Sequence, residues 1–147
     1  MAIKLNDALR NTMVDVVTMF LSGTAGTTGT VGAGTAGSRA MLTIFGGTMP
    51  GTGGATAGTQ GTLCQISGIS WLKGTSGTAV ISASATGTAG STGTASWARL
   101  SGTNGTGFVL DGVCGTSSTA DFVIDSAAIT ASAVITLTAA TIVQPAS

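Results

Sequence analysis

Residues 63–71 read LCQISGISW, and their side chains fall into two alternating sets, with Leu63, Gln65, Ser67, Ile69 and Trp71 on one side and Cys64 and Ile66 on the other. A period of two is typical of a β-strand, because successive side chains of an extended chain point to opposite faces of a sheet. Gly61-Thr62 precedes the run and Gly74-Thr75 follows it. Small, turn-forming residues at both ends are typical of strand boundaries, so the stretch predicts one short strand.

Similar runs occur along the rest of the chain, at 40–45, 78–85, 94–100, 108–114, 120–125 and 133–143. Seven or so short strands separated by Gly, Thr, Ser and Asn predict a mainly β protein, an antiparallel β-sandwich of the jelly-roll-like kind, with a small barrel as the alternative. Asn104-Gly105 is a plausible turn tip between two of them. A solenoid is disfavoured because the Gly-Thr steps fall at irregular intervals.

The first part of the chain has a different period. Apolar residues recur there every three or four positions, at Leu5, Leu9, Met13, Val16, Val17 and Phe20. Asn6 or Asp7 can cap the segment, and Gly23 can end it. The pattern predicts an amphipathic helix over about 6–21, whose apolar stripe packs on its own domain or on a partner. We therefore expect a single domain over 1–147, with this helix, a loop or arm at 23–38 and the β-sandwich at about 39–145.

Two segments, 23–38 and 46–61, consist largely of Gly, Thr, Ala and Ser. Neither has a periodic set of large apolar residues to anchor it. Both are predicted to be long flexible loops, or arms that become ordered only on assembly. Compact domains rarely carry two such loops without a function for them.

The composition argues for a structural role and against catalysis. The 147 residues include fifteen Gly-Thr steps but only ten charged side chains, and His, Tyr and Glu are absent. Enzymes commonly use His or Glu as acid and base, and zinc sites need about four ligands, so neither catalysis nor a metal or other cofactor is expected. The net charge of zero offers no basic field for nucleic acid. No apolar run reaches the roughly 18–20 residues of a membrane span, and Asp7 and Asp15 fit a signal peptide poorly. We therefore expect a protein that is made and kept in a cytosol, at least until it assembles.

Three sequence motifs give only weak evidence for a functional site. Residues 32–37 match GxGxxG, but a dinucleotide site also needs a preceding strand, a following helix and an acid about 20 residues on, and none of these accompanies the match. Ser70 and Lys73 match SxxK, which needs a helical turn, whereas this stretch alternates like a strand. Asp111, Asp121 and Asp125 could begin a Ca²⁺ site but form no compact motif, so strand-end acids facing solvent are the simpler interpretation.

Four further residues each have a plain structural interpretation. Cys64 and Cys114 are most simply two buried thiols, with a disulfide as the alternative. Trp71 and Trp97 are most simply core anchors of two strands. Trp97 beside Arg99 has a second interpretation, an interface hot spot.

Three segments carry a resemblance to a known group of proteins. Ala2-Ile3-Lys4-Leu5-Asn6-Asp7-Ala8-Leu9-Arg10-Asn11-Thr12-Met13-Val14-Asp15 resembles the opening of a group of small tailed-bacteriophage proteins. Gly93-Thr94-Ala95-Ser96-Trp97-Ala98-Arg99-Leu100 resembles one of their strands. The part from Asp111-Gly112 through Gly115-Thr116 and Ile129-Thr130-Ala131 to Ile142 resembles their closing strands.

The resemblance implies a non-enzymatic structural protein of the virion, encoded near the major capsid protein. The expected role is a capsid decoration or cement protein that bridges capsomers, as a small homo-oligomer for which a trimer is the simplest choice. Its partner would be the major capsid protein or another virion protein, and its location the virion, assembled in the host cytoplasm. Candidate assembly contacts are Leu9, Met13, Val17, Phe20, Trp97 and Arg99. The alternatives are a tail, neck or fibre component and, in another class, a Thr-rich ligand- or ice-binding module.

Overall fold

The computed structural model describes residues 40–55, 57, 60–73, 77–102 and 109–143. The predicted helix over about 6–21, the loop or arm at 23–38, the GxGxxG match and the Asn104-Gly105 turn all lie outside these residues. Within the described part, the regular elements are all strands. None of the described residues forms a helix that is long and apolar enough to cross a membrane.

The described residues form eleven strands, more than the seven or so predicted. In chain order they are β1 Ala40–Phe45, β2 Thr62–Ile69, β3 Trp71–Lys73, β4 Thr78–Ile81, β5 Ala85–Thr88, β6 Gly93–Thr94, β7 Trp97–Ser101, β8 Val109–Gly115, β9 Phe122–Ile124, β10 Ala128–Ile129 and β11 Val134–Val143. Each of the seven predicted runs contains strand residues, so the mainly β class is confirmed. The count is higher because long runs break into two strands and because β10 gives too short a signal to be recognised.

Nine of these strands form one mixed sheet. The strand order is β2-β1-β7-β8-β9-β11-β4-β3. The ninth strand, β5, lies outside this order and pairs with β11. The pairs are antiparallel except β8 and β9, where Cys114 lies opposite Phe122 and Gly115 opposite Val123. Parallel strands usually need a long crossover, but this pair overlaps by only two residues, so a short connection suffices. The prediction of a purely antiparallel sheet is therefore wrong at this pair.

The sheet curls until its two ends meet. Its end strands β2 and β3 are consecutive in the chain, with only Ser70 between them. Residues after β5 also reach β2: Ala89 forms a bridge with Cys64, and the Gly90 N–H donates to the Leu63 carbonyl at 2.9 Å. The predicted sandwich of two facing sheets is not confirmed. The described strands form one curled sheet and a separate two-stranded sheet of β6 and β10.

The hydrophobic core lies inside the curl and draws on nearly every strand. Its largest fully buried aliphatic side chains are Leu42, Ile44, Ile66, Ile69, Leu100, Ile124, Ile129, Ile135 and Leu137. Each contributes about 1.5–3 kcal/mol through removal of apolar surface from water. Trp71 is also buried in this cluster, as the core-anchor interpretation predicted.

A β-bulge in β2 changes the predicted alternation. Ile66 pairs with Leu42 but Ile69 pairs with Ala40, so β2 carries one residue more than β1 between these pairs. Gly68 has a φ of +76° there, a left-handed conformation that glycine adopts without strain. The extra residue brings Ile69 into the same core face as Cys64 and Ile66. The prediction that Ile69 lies on the opposite face is wrong for this reason.

Candidate functional site

The sheet face that points away from the core carries an ordered set of side chains on β1, β7 and β8. We call it the outer face. One row across the three strands is Phe45, Trp97 and Val113, and the next is Thr43, Arg99 and Asp111. Their core-facing neighbours are residues such as Leu42, Ile44, Ala98 and Leu100. The same strands therefore form both the core wall and this second surface.

The two aromatic residues of the outer face stack on each other. The ring centroids of Phe45 and Trp97 are 4.3 Å apart with an interplanar angle of 13°. Trp97 is only 1% exposed, and its indole N–H donates to the Gln60 side-chain oxygen at 2.8 Å. The Arg99 guanidinium lies 5.6 Å from the Trp97 ring centre, within range of a cation–π contact. An aromatic pair outside the main core is thus buried by polar neighbours.

Arg99 and Asp111 form a bidentate salt bridge beside the aromatic residues. Arg99 Nε donates to Asp111 Oδ1 at 2.7 Å, and Arg99 Nη2 donates to Asp111 Oδ2 at 2.8 Å. The side chains are 18% and 5% exposed, so water screens the pair only in part. Arg99 Nη2 also donates to the Ala55 carbonyl at 2.6 Å, and the Gly54 N–H donates to Asp111 Oδ2 at 3.0 Å. We call Arg99 and Asp111 together the clamp.

The clamp shifts the pKa of both its members. The hydrogen bonds from Arg99 lower the pKa of Asp111 below its usual value, against the opposing effect of burial, and the Gly54 N–H adds to the lowering. The same hydrogen bonds raise the pKa of Arg99. Both groups are consequently charged throughout the neutral range.

The segment between β1 and β2 lies across the outer face. We call its described residues, 46–55, 57 and 60–61, the strap. Its tip is held by the clamp through Gly54 and Ala55, and its base by Gln60, whose side-chain amide also donates to the Thr48 carbonyl at 2.6 Å. The Ser96 hydroxyl donates to the Gly47 carbonyl at 2.6 Å. The segment is a loop, as predicted, and these polar contacts hold it in place of the apolar anchors that the sequence lacks. Its flexibility before assembly stays a prediction.

A groove of about 530 Å³ opens beside the base of the strap. Its lining is Gly46, Gly47, Gln60, Gly61, Leu63, Ser91, Thr92, Gly93 and Thr94. All of these residues are uncharged. A Cβ at Gly93 would stand 2.7 Å from a terminal methyl group of Leu63, so a larger residue there would make the Leu63 side chain shift.

The structure brings together two of the six candidate assembly contacts. Trp97 and Arg99 are neighbours on the outer face, while Leu9, Met13, Val17 and Phe20 lie outside the described residues. Trp97 is buried, as its interpretation as a core anchor predicted, but it lies on the outer face and not in the main core cluster. Whether Trp97 or Arg99 also contacts a partner stays a prediction. Sequence reasoning missed Gln60 and did not pair Asp111 with Arg99, although opposite charges on two consecutive predicted strands were a usable signal.

The three late carboxylates are separate and each supports the backbone. Asp121 accepts the Val113 N–H at 2.8 Å, and Asp125 accepts the Thr136 N–H at 3.0 Å, while Asp111 belongs to the clamp. Among the described residues, no group of three or more His, Cys, Asp or Glu side chains could hold a metal ion.

Ser70 and Lys73 do not share a helical turn. Ser70 lies between β2 and β3, and Lys73 ends β3. An extended backbone carries neighbouring side chains apart, so the helical geometry that SxxK requires is not formed by this stretch.

Both cysteines are buried and free. Burial raises the pKa of the Cys114 thiol to about 12, with a smaller contribution from the nearby Cys64. Burial likewise raises the pKa of Cys64, and the charge of Asp125 adds to this. Protonated, buried thiols are poor nucleophiles, which agrees with the interpretation of two buried thiols.

An exposed patch of threonine lies on β5 and β11. Thr86 pairs with Thr136, and Thr88 pairs with Val134, which is 62% exposed. The pattern stops at Thr138, where the register with β9 shifts and the hydroxyl donates to the Val123 carbonyl at 3.0 Å. The resulting array is small and irregular.

Comparisons of this chain with protein-family models, with curated proteins and with solved structures each returned no match.

Proposed function

We propose that this chain is a non-enzymatic structural protein that acts through its surface contacts, as a capsid decoration protein of a tailed-phage virion. One observation carries the non-enzymatic part. Arg99, Asp111, Asp121 and Asp125 each make hydrogen bonds that support the fold. Catalytic acids and bases need a titratable group that is available to a reacting molecule. Each of these groups is instead engaged with the protein's own backbone or, for Arg99 and Asp111, also with each other.

The nature of the exposed surface supports the same proposal. The exposed strand residues include Thr86, Thr88, Val113, Val134 and Val143, which are small or β-branched and uncharged. A surface with so little charge is poor for remaining dispersed in water, and is better suited to being covered by partners. Large, repeated protein–protein contacts are the simplest use of such a surface.

The phage assignment rests on the resemblance of three segments to small tailed-phage proteins. In this role, copies of the chain would bridge neighbouring capsomers, with the major capsid protein as the partner. Interfaces of about 1,600 Å² repeated over a shell stabilise it even when each contact is modest. A homotrimer would match the local three-fold positions of a capsid.

A tail, neck or fibre component is the nearest alternative, because the same surface would suit any repeated virion contact. The Thr-rich binding module is supported only by the patch around Thr86 and Thr136. A surface that binds ice or another regular lattice would need the array of threonines to continue, and the register shift at Thr138 interrupts it.

Cryo-electron microscopy of the native particle that contains this chain tests the proposal. Decoration predicts density across the icosahedral faces, in hundreds of copies. Density only at the tail or neck would favour the nearest alternative. A free monomer that belongs to no particle would contradict both, and would turn attention to the threonine patch.

A further inference from the structure

The strap covers the outer face with few side chains of its own. At its tip, the groups that bind the clamp are a backbone N–H and a backbone carbonyl, those of Gly54 and Ala55. Most strap residues are exposed, including Met49 at 38%. The strap thus excludes water from Trp97 and Phe45 but has no large buried side chain that ties it to the core. Such a cover belongs to the least stable part of a fold.

The base of the strap has the features of a hinge. Gly47 has a φ of +81°, and no heavy atom lies within 4 Å of a Cβ placed at Gly61. The groove of about 530 Å³ is lined by both residues, so the base of the strap is not packed tightly on that side. Hinges are commonly a few residues at the end of an element that absorb a backbone change, and glycines do this with little strain.

An opened strap leaves a specific set of unmet contacts on the outer face. The Trp97 indole N–H loses its acceptor, the Gln60 side-chain oxygen, and the clamp loses one backbone donor and one backbone acceptor. The strap of a second copy offers the same groups in the same spacing. Exchange of an identical element between copies re-forms every contact that opening breaks, so it is a low-cost route to an oligomer.

We propose that copies of this chain associate by exchanging straps, so that the tip of one copy, at Gly54 and Ala55, docks on the Arg99–Asp111 clamp of another. The length of the segment allows this. Gly54 is seven residues from Gly47, and an extended chain spans about 3.3 Å for each residue, so the tip can reach roughly 20 Å from the body. Each copy gives and receives one strap, which yields a closed pair or a ring.

The exchange of straps extends the structural role proposed above, because it names the contact between copies. Only the biological purpose of the exchange rests on that proposed role. Strap exchange is tested on the purified chain alone, whereas the virion role is tested on particles. Failure of either test therefore leaves the other result standing.

The experiment uses chains that each carry one added cysteine. An Ala55→Cys chain is labelled with ¹⁵N and co-refolded with an unlabelled Val113→Cys chain, because Val113 is exposed on the outer face two residues from Asp111. A short bismaleimide is added and the products are separated by mass. Cys64 and Cys114 are buried and protonated, so they react slowly. We expect a mixed, half-labelled cross-linked dimer whose yield rises with protein concentration.

The matched control replaces Val113→Cys with Thr88→Cys, an exposed position on β5 away from the outer face. We expect at least ten times more mixed product with Val113→Cys than with Thr88→Cys. Met49→Cys serves as a second strap variant if Ala55→Cys folds poorly. Light scattering that finds only monomer at every concentration overturns the proposal. An oligomer that gives equal mixed product with both partners also overturns it, since copies would then associate through another surface.

Discussion

The two faces of the β1–β7–β8 strands are covered in different ways. On the inner face, Leu42, Ile44 and Leu100 pack against large apolar side chains from the other strands of the curl. On the outer face, Trp97 and Arg99 are covered by a glycine-rich strap held by polar contacts. Alternate residues of the same strands therefore meet two unlike environments.

The difference teaches how a chain with few large residues can bury both faces of a sheet. Apolar packing is non-directional and needs only volume, so the inner face tolerates a variety of partners. The outer face depends on directed hydrogen bonds, each of which requires a particular atom at a particular distance. We expect the inner face to govern global stability and the outer face to govern local opening.

The largest expected effect comes from emptying the inner face. Leu100→Ala removes a fully buried side chain and leaves a cavity, so the free energy of unfolding should fall by about 2–5 kcal/mol. Urea denaturation measures this change. Val134→Ala, at an exposed position, should change the free energy by less than about 0.5 kcal/mol. Equal losses for both variants would mean that the curl does not enclose the core as described.

The next effect tests the closure of the curl. A Cβ at Gly87 on β5 would collide with the backbone carbonyl of Gln65 on β2, so Gly87→Ala must push the two strands apart. We expect a loss of about 1–3 kcal/mol in the free energy of unfolding. Gly90→Ala is the matched control, because a Cβ there has no neighbour within 4 Å. A neutral Gly87→Ala would indicate that β5 and β2 are not in contact.

A smaller and more local effect is expected on the outer face. Asp111→Asn removes the charge from the clamp, and we expect a loss of about 1–2 kcal/mol, more than for a fully exposed pair because Asp111 is buried. Hydrogen exchange at the backbone amides of strap residues 51–55 should speed up more than exchange in β1. Asp125→Asn should leave strap exchange unchanged, since the Asp125 carboxylate accepts from the Thr136 N–H on β11 and not from the strap. Unchanged strap exchange in Asp111→Asn would refute the role of the clamp.

The smallest effect is a dependence on pH. Because Arg99 lowers the pKa of Asp111 in the folded protein, the clamp contributes its full stability above the unfolded pKa of about 3.9. That contribution is lost as the pH falls through the lower, folded pKa. Urea denaturation between pH 7 and pH 3 should show the wild type and Asp111→Asn converging by about 1 kcal/mol in acid. A constant difference across this range would mean that Asp111 is not paired.

The strands could be predicted from the sequence, but their arrangement could not. Alternation of side chains gave all seven predicted runs, since period two is a local property of an extended chain. The bulge at Gly68 was not recognised, because a lone Gly in a strand signals a bulge only weakly. The register between β7 and β8 could not be predicted from the sequence either. A two-residue turn at Asn104-Gly105 would place Arg99 opposite Leu110, whereas Arg99 lies opposite Asp111.

The candidate site was predicted only in part. The sequence indicated Trp97 and Arg99 as candidate contacts, because Trp and Arg are common at protein interfaces. The strap did not, because glycine-rich sequence favours a flexible loop and nothing in residues 46–61 indicates which atoms could hold it. Gln60 gave no signal at all, since its role depends on the position of Trp97, 37 residues further along.

The sequence by itself determined the β class and the shortage of charged groups, because both follow from composition and from contacts between near neighbours in the chain. Only the tertiary structure decided that the sheet curls on itself, that Ile69 joins the core and that the strap lies over Trp97. Those outcomes depend on which backbone groups meet across long sequence separations. A one-residue change of register alters every contact between paired strands, and the alternation of side chains within one strand does not indicate which register forms.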